Sequence, residues 1–359
     1  MSRGRRFDWE RLQDFCAQVL QRAGAPPAEA EVVAESLVYA DLRGVDSHGV
    51  ARFPIYVRRL EQGMVATGVK LDVEFDGPVV RVDGKNAYGA VVGMRALEAA
   101  VATAKRHGCA VVGVKHSNHF GTCAYYAERA IAQDLVFLAM SNASQTMPPY
   151  GGARPFLGTN PLCVAAPAGN EVPFLLDMAT SVVSRGKIIV AAQRGEPIPL
   201  GWAVDKDGRP TTDPHAALAG AVLPLGGAKG YGIAMFIDIL AGVLTGAGFG
   251  KYVHNMYENW QQPQNVGHLF IAIDIARFMP VEVFKARMDR YIRDLKSEPT
   301  APGVDEILVP GELEARTARL RRQQGIELPD AVAKELADVG KRYGVRLDDA
   351  EWTSMKREA

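Results

Sequence analysis

The sequence predicts an α/β protein with helical ends. Three observations predict it: helical periodicity near both termini, apolar β-type runs alternating with helical stretches between them, and polar loops where those runs stop. The pattern over residues 9–60 is helical. Leu12, Phe15, Cys16, Val19 and Leu20 recur on one face of a first helix over residues 9–23, which Gly24 and Pro26-Pro27 terminate. A second helix starts at those prolines, turns Val32, Val33, Leu37 and Ala40 inward, and ends near Arg43-Gly44. After the polar loop Asp46-Ser47-His48-Gly49, a short third helix is expected over residues 54–62.

From residue 70 the texture changes. Val73, Phe75, Val79, Val80 and Val82 suggest a β-hairpin, with Asp76-Gly77 as a candidate turn. A helix over residues 91–107 leads into a strand over 109–114, a helix over 121–133 leads into a strand over 135–140, and a strand over 174–176 ends at Asp177. Residues 231–245 read as a buried helix and 269–275 as a further strand. Residues 313–324 and 329–343 are charged and amphipathic, as helices lying on a surface or a partner subunit are. No internal repeat or low-complexity linker divides the chain, so its units are expected to be interwoven.

Composition narrows the function. Lys plus Arg and Asp plus Glu both number 41, so no net field favours a polyanion, and no basic run interleaved with aromatics suggests a nucleic-acid groove. No nucleic-acid partner is expected. The basic start Met1-Ser2-Arg3-Gly4-Arg5-Arg6 runs straight into an amphipathic helix without the apolar stretch of a secretion signal. The apolar run 233–244 is interrupted by Asp238 and Gly242, too short for a bilayer span, so no membrane association is expected. Cys16, Cys109, Cys123 and Cys163 stand singly, which fits reduced thiols in a cytoplasmic protein.

Four motifs carry chemistry. In Arg43-Gly44-Val45-Asp46-Ser47-His48-Gly49-Val50-Ala51-Arg52, a dense polar loop joins two apolar helices. Reduction of a 2-oxo acid needs a proton donor near neutrality, which His supplies, and a fixed cation for the carboxylate, which Arg supplies. His48 and Arg52 lie four apart and would share a face if the backbone there were helical; the bland alternative is a capped helix start with exposed charges. In Lys115-His116-Ser117-Asn118-His119-Phe120-Gly121, polar side chains follow a strand, at the sheet edge where α/β proteins place ligands. No H-E-x-x-H or carboxylate cluster accompanies these histidines, so no metal site is expected.

Loops at Pro149-Tyr150-Gly151-Gly152, Gly158-Thr159-Asn160-Pro161 and Leu176-Asp177-Met178-Ala179-Thr180-Ser181 offer backbone N–H groups and small hydroxyls, suited to a dinucleotide and equally to tight turns. Gly226-Gly227-Ala228-Lys229-Gly230 opens a helix with a lysine, so a helix dipole and an ammonium could face one anion. The G-x-G-x-x-G fingerprint of the Rossmann fold is absent; Gly230-Tyr231-Gly232 and Gly246-Ala247-Gly248 read as a helix start and a helix C-cap.

Taken in order, Asp46-Ser47-His48-Gly49, Asn118-His119-Phe120-Gly121, Gly158-Thr159-Asn160-Pro161, Asp177-Met178-Ala179-Thr180, Trp202-Ala203-Val204-Asp205, Lys229-Gly230-Tyr231-Gly232 and Pro310-Gly311-Glu312 closely resemble the malate/L-lactate dehydrogenase family, over nearly the whole chain. The resemblance implies a non-Rossmann mixed-sheet domain binding NAD or NADP, interwoven with helical N- and C-terminal parts, and a homodimer with its site in the cleft between domains. It implies the divisions 1–70, a helical segment with part of the site; 71–265, the dinucleotide-binding sheet domain; and 266–359, a segment packing back on the first and on the partner.

Carried over by motif, His48 and His119 are the acid/base candidates, Ser47 and Arg52 hold the substrate carboxylate, and Thr159 and Asn160 line the cleft. Asp177, Met178, Ala179, Thr180, Lys229, Gly230, Pro310, Gly311 and Glu312 are implied as cofactor contacts, while Arg185 and Arg194 are candidates for an NADP phosphate. Relatives commonly read Asn-Ser-Ser-Pro where this chain has Asn142-Ala143-Ser144-Gln145, so a hydroxyl is lost at Ala143 and a proline at Gln145. The implied activity is hydride transfer between a nicotinamide and a small 2-oxo or 2-hydroxy acid of the malate or L-lactate type. Ureidoglycolate oxidation, cyclic-imine carboxylate reduction and non-catalytic binding of a small acid are the alternatives.

Overall fold

The computed structural model describes residues 4–351. Strand β1 (Arg5–Phe7) precedes helices α1 (Trp9–Arg22) and α2 (Pro27–Leu42). Asp8 caps α1 by accepting from the backbone N–H groups of Glu10 at 3.0 Å and Arg11 at 3.1 Å. The buried face of α1 is the one its apolar spacing predicts: Leu12, Phe15, Cys16, Val19 and Leu20. Helix α2 begins with Pro27, whose missing N–H costs nothing there, and is buried on several sides. Two separate 3-10 turns, Asp46–His48 and Val50–Arg52, lead into α3 (Phe53–Glu61).

Next come β2 (Asp72–Asp76), β3 (Val79–Asp83), α4 (Gly89–His107), β4 (Cys109–Ser117), α5 (Ala124–Ile131), β5 (Leu135–Ser141), β6 (Leu162–Ala166) and β7 (Phe174–Met178). A smaller unit follows, with α6 (Arg185–Arg194), β8 (Ala203–Val204), β9 (Pro210–Thr211), α7 (Pro214–Ala219) and β10 (Ala221–Val222). The chain then returns through α8 (Ala228–Asp238), β11 (Val266–Asp274) and α9 (Val281–Lys296), and finishes with α10 (Glu312–Gln324), β12 (Ile326–Leu328) and α11 (Asp330–Arg342).

The main sheet has seven strands in the order β2-β3-β4-β11-β5-β6-β7. It is mixed: β3 and β4 run parallel, joined by the crossover helix α4, and the other neighbours are antiparallel. Ala96, Ala100 and Ala104 of α4 and Tyr126 of α5 cover one face against Val112, Phe137 and Phe270, and Ile237 of α8 meets Met140 and Leu269 in a cluster of its own. A second large core gathers Leu12, Phe15, Leu37 and Phe53 with Ile326 and Leu336, so the last helices pack on the first. Strands β1 and β12 clasp the two ends, Phe7 opposite Ile326.

Several elements differ from the sequence-based expectation. Strand β11 lies in the middle of the sheet, so segment 266–359 contributes to the sheet before packing on the N-terminal helices. The helix expected over 231–245 is regular only to Asp238 and continues as a π turn, Ile239–Val243. Asp238 is held there: its carboxylate accepts from the Asn142 side chain at 3.1 Å and from the Gly250 N–H at 2.9 Å. Helix α9 buries only Asp289 and Ile292, which leaves little apolar stripe to read. Among the described residues, no helix is long and apolar enough to cross a membrane.

The ladder of β11 shifts register between Val266 and His268, and Gly267 sits at that bulge with room for no side chain: a Cβ would lie 1.7 Å from the Ala241 carbonyl oxygen. Gly267→Ala is therefore expected to lower unfolding free energy by about 3 kcal/mol, read from denaturant midpoints. An unchanged midpoint would show that the β11–π-turn contact yields easily.

Candidate active site

A buried carboxylate shapes the first loop. Asp41, at the end of α2, accepts from the Val50 N–H at 2.8 Å, and a Cβ on Gly49 would lie 1.8 Å from its other oxygen. Glycine alone lets the chain pass, extended at φ −85° and ψ −154°. His48 and Arg52 therefore do not share one helical face, as the four-residue spacing would have it; the helix is broken at Gly49. They converge by another route: the Arg52 Nε donates to the Ser47 carbonyl at 2.7 Å, and the Ser47 hydroxyl lies 3.0 Å from His48 Nδ1. Arg321 of α10 ties the loop down by donating to the Asp41 carbonyl and the Asp46 carboxylate. Burial, reinforced by nearby Asp46, pushes the Asp41 carboxyl well above its usual range.

The second loop leaves β4 at Ser117. Asn118 donates through its amide to the backbone carbonyls of Asn86 at 3.1 Å and Ala87 at 2.9 Å, while the His119 N–H donates to the Gln264 side chain at 3.0 Å. The Tyr56 hydroxyl of α3 lies 2.6 Å from His119 Nδ1. These contacts bring the rings of His48 and His119 to 5.5 Å between centroids at 26°. With Nδ1 engaged in each, Nε2 is the nitrogen each ring keeps for a ligand.

Arg52 stands over the same place, its Nη1 reaching the Tyr257 hydroxyl and, at 3.9 Å, the Met256 sulfur. Burial, then the Arg52 charge, lowers His48 to about 4. Burial lowers His119 well below its ordinary value too, with Arg52, His48 and His268 adding to the effect.

The cofactor candidates gather at the end of β7. The Asp177 carboxylate accepts from the Ala124 N–H at 2.8 Å, and burial raises it to about 6. Met178 and Ala179 follow, half-buried. The Thr180 hydroxyl donates to the carbonyls of Thr159 at 3.1 Å and Asn160 at 3.2 Å, and its own carbonyl accepts from the Leu225 N–H at 2.9 Å. That pairing sets the start of α8 beside the loop. There Lys229 is exposed, and Gly230 is required because a Cβ would lie 2.1 Å from the Leu225 carbonyl oxygen.

On the other side, the Pro310 carbonyl accepts from the Leu175 N–H at 3.0 Å. Gly311 has φ +94°, and the Glu312 carboxylate is engaged by Lys296 at 2.6 Å and Arg316 at 2.5 Å. A phosphate suits the α8 start: Gly226 there has φ +59° with nothing within 4 Å of its Cβ position, and the helix dipole and Lys229 supply positive potential.

Asn160 is fully buried and faces the framework, accepting from the Ala143 N–H at 3.0 Å and donating to the Ala234 carbonyl at 2.9 Å; Thr159 is half-buried beside it. Ala143 packs against Gly158, whose Cβ would lie 2.7 Å from the Ala143 methyl, so no hydroxyl projects there. Arg185 donates to the Leu218 carbonyl at 2.9 Å, and Arg194 ends α6. His116 turns away to Asp83 at 3.0 Å, in a separate cleft of about 540 Å³ with Lys85, His254 and Asn265.

Sequence reasoning missed Asp41, Tyr56, Met256, Tyr257, Gln264 and His268. Asp41, just before the Arg43 to Arg52 loop, and Tyr56, four residues beyond Arg52, lie close to it in sequence; the others reach the site from distant segments.

The sequence pattern of the family described as malate/L-lactate dehydrogenase matches residues 7–337. The chain is 40% identical to the malate dehydrogenase of Pyrococcus horikoshii, over 94% of this chain and 95% of that protein. It is 37% identical to the ureidoglycolate dehydrogenase (NAD(+)) of Escherichia coli strain K12, over 91% and 93%. The solved structure of sulfolactate dehydrogenase from Methanocaldococcus jannaschii superposes with a TM-score of 0.89 at 38% identity, covering 96% of this chain and 99% of that one. Relatives named with NADP(+) occur beside those named with NAD(+).

The depressed histidines make stability depend on pH. An unfolded His48 binds its proton near 6.5 and the folded one near 4, so acidification through that window favours unfolding. His268, lowered to about 3, acts in the same sense, while Asp177, raised to about 6 from 3.8, opposes it. Substituting His48→Gln removes one such proton uptake. The Tm advantage of His48→Gln over the parent is expected to grow as pH falls from 6.5 to 4 in a calorimetric series; a constant difference would contradict the assigned shift.

Proposed function

The chain belongs to the malate/L-lactate dehydrogenase family, and from that premise we propose that it is an NAD(P)-dependent oxidoreductase acting at C2 of a small 2-hydroxy or 2-oxo acid, of the malate or L-lactate type. The observation that carries the reading is the convergence of two imidazoles and a guanidinium: His48 and His119 at 5.5 Å, with Arg52 anchored to Ser47. Bound nicotinamide supplies the hydride in reduction and accepts it in oxidation.

Everything else is done by side chains. Arg52, with Nε already committed to Ser47, offers its Nη groups to the substrate carboxylate, and Ser47 offers a hydroxyl beside them. In reduction the carbonyl π pair moves onto oxygen as C2 gains hydride, and an imidazolium Nε2–H hands that oxygen its proton. His119 takes this role, because Tyr56 and Gln264 fix its ring and backbone; His48, hinged on Ser47, orients the acid. Burial keeps both imidazoles neutral and the Arg52 charge adds to it; a bound carboxylate would offset that charge, so substrate binding would raise their proton affinity.

Gly226, Lys229 and Gly230 would hold a dinucleotide phosphate, Asp177 to Thr180 the adjoining ribose, and Pro310 to Glu312 the opposite wall. NAD and NADP both remain within this reading. Thr159 lines the cleft, and Asn160 supports it from behind.

A homodimer belongs to the same proposal. Ile233, Phe236, Ile239 and Val243 are exposed on α8 and the π turn, an apolar surface suited to a second copy. Phe236→Glu is expected to yield monomers by light scattering, where the parent scatters as a dimer; a monomeric parent would contradict this. A cytoplasmic location fits the four free cysteines.

The activity is tested by following nicotinamide absorbance with pyruvate, oxaloacetate, sulfopyruvate, cyclic imine carboxylates and, in oxidation, ureidoglycolate. Turnover of a 2-oxo acid is expected; no turnover of any would favour the non-catalytic binding alternative. His119→Gln should lower kcat by about 10²–10⁴-fold and His48→Gln by less. Arg52→Gln should cost about 10²-fold in kcat/KM. Equal losses from both histidine variants would reject the division of roles.

A further inference from the structure

We propose that His268 is a positioning residue for His119, clamping Ser117 and Phe120, the residues on either side of the Asn118-His119 pair. The inference rests on the reading of His119 as the proton donor. His268 is fully buried in β11, just beyond the bulge at Gly267. Its Nε2 lies 2.8 Å from the Ser117 hydroxyl and its Nδ1 2.9 Å from the Ser141 hydroxyl. Its ring stacks on Phe120 at 4.0 Å between centroids and 7° between planes. One flat side chain thus grips both flanks of the catalytic loop and ties them to β5.

A polar ring in the middle of a sheet is costly unless both nitrogens are satisfied, and an apolar residue would pack there at lower cost. Burial keeps the ring uncharged, so it has one N–H and one lone pair. The Ser141 hydroxyl donates to the Asn142 carbonyl at 3.0 Å, which makes it an acceptor for Nδ1–H. The Ser117 hydroxyl then donates to Nε2, its alternative acceptor on Asn118 being farther, at 3.3 Å. The chain Ser117, His268, Ser141, Asn142 runs in one direction, each bond polarising the next. It ends on Asn142, whose amide holds the Asp238 carboxylate and the Gly248 carbonyl.

His119 has its own contacts to Tyr56 and Gln264, and the segment carrying it is fixed by these flanks. Loosening Ser117 or Phe120 lets Nε2 drift from the reacting oxygen, and a shift of about 1 Å costs about 10²-fold in rate.

The test compares Ser117→Ala, His268→Phe and their double variant with the parent, and runs His119→Gln alongside. His268→Phe keeps the stacking and loses both hydrogen bonds. Ser117→Ala and His268→Phe are each expected to lower kcat by about tenfold or more, with NADH dissociation constants, from fluorescence titration, within about twofold of the parent. The double variant is expected to be no slower than His268→Phe. Parental kcat in folded Ser117→Ala, additive losses in the double variant, or a parallel loss of NADH binding would each overturn the proposal. If His268→Phe does not fold, kcat and NADH binding of Ser117→Ala decide alone. Should His119→Gln keep parental turnover, the assignment of the proton donor fails first; should it be inactive while Ser117→Ala is unaffected, only the positioning role fails.

Discussion

A guanidinium held beside two uncharged imidazoles is the constraint on which the rest of this structure depends. Burial first, and the Arg52 charge second, keep both neighbouring rings uncharged. An anion beside Arg52 would offset that charge. In the proposed reaction a substrate carboxylate would pair with the arginine and raise the proton affinity of the histidines. Charge complementarity and acid catalysis would then be coupled through the same group of side chains.

Much of the scaffold serves to keep that arrangement from relaxing. Asp41 forces Gly49 and splits the loop into two turns, so that Arg52 folds back on Ser47 and does not swing into solvent. Arg59 donates to the carbonyls of Met256 at 3.0 Å and Asn259 at 3.1 Å, fixing the segment that meets Arg52 from the far side. The helical N-terminal part supplies His48, Arg52 and Tyr56, and the loop after β4 supplies His119. These parts belong to two separate cores, one formed by the N- and C-terminal helices and one by the sheet and its covering helices.

The sequence made legible what is local. The buried face of α1, the hairpin of β2 and β3 and the alternation of helices and strands through β5 are written in periodicity and turn residues, although the turn is Gly77-Pro78, one residue later than Asp76-Gly77. The polar loops around His48 and His119 stood out because hydrogen-bonding side chains crowd positions that packing does not need. What stayed hidden depends on distant partners. Gln264 meets His119 across 145 residues of sequence, and His268 meets Ser117 across 151, with no pattern to announce either. The central place of β11 and the π turn after Asp238 are likewise set by what packs against them. Asn160, implied as a cleft residue, proves to be buried framework, since its amide satisfies backbone groups that burial would otherwise leave unpaired.

The coupling of anion to imidazole is tested most directly by NMR titration of the histidine ring protons, with and without oxamate, an unreactive mimic of a 2-oxo acid, in the NADH-bound protein. His48, near 4 without the mimic, and His119 are both expected to move up toward neutrality when oxamate binds. Ring titrations that ignore oxamate at saturating concentration would contradict it, because the carboxylate would then be meeting some other cation.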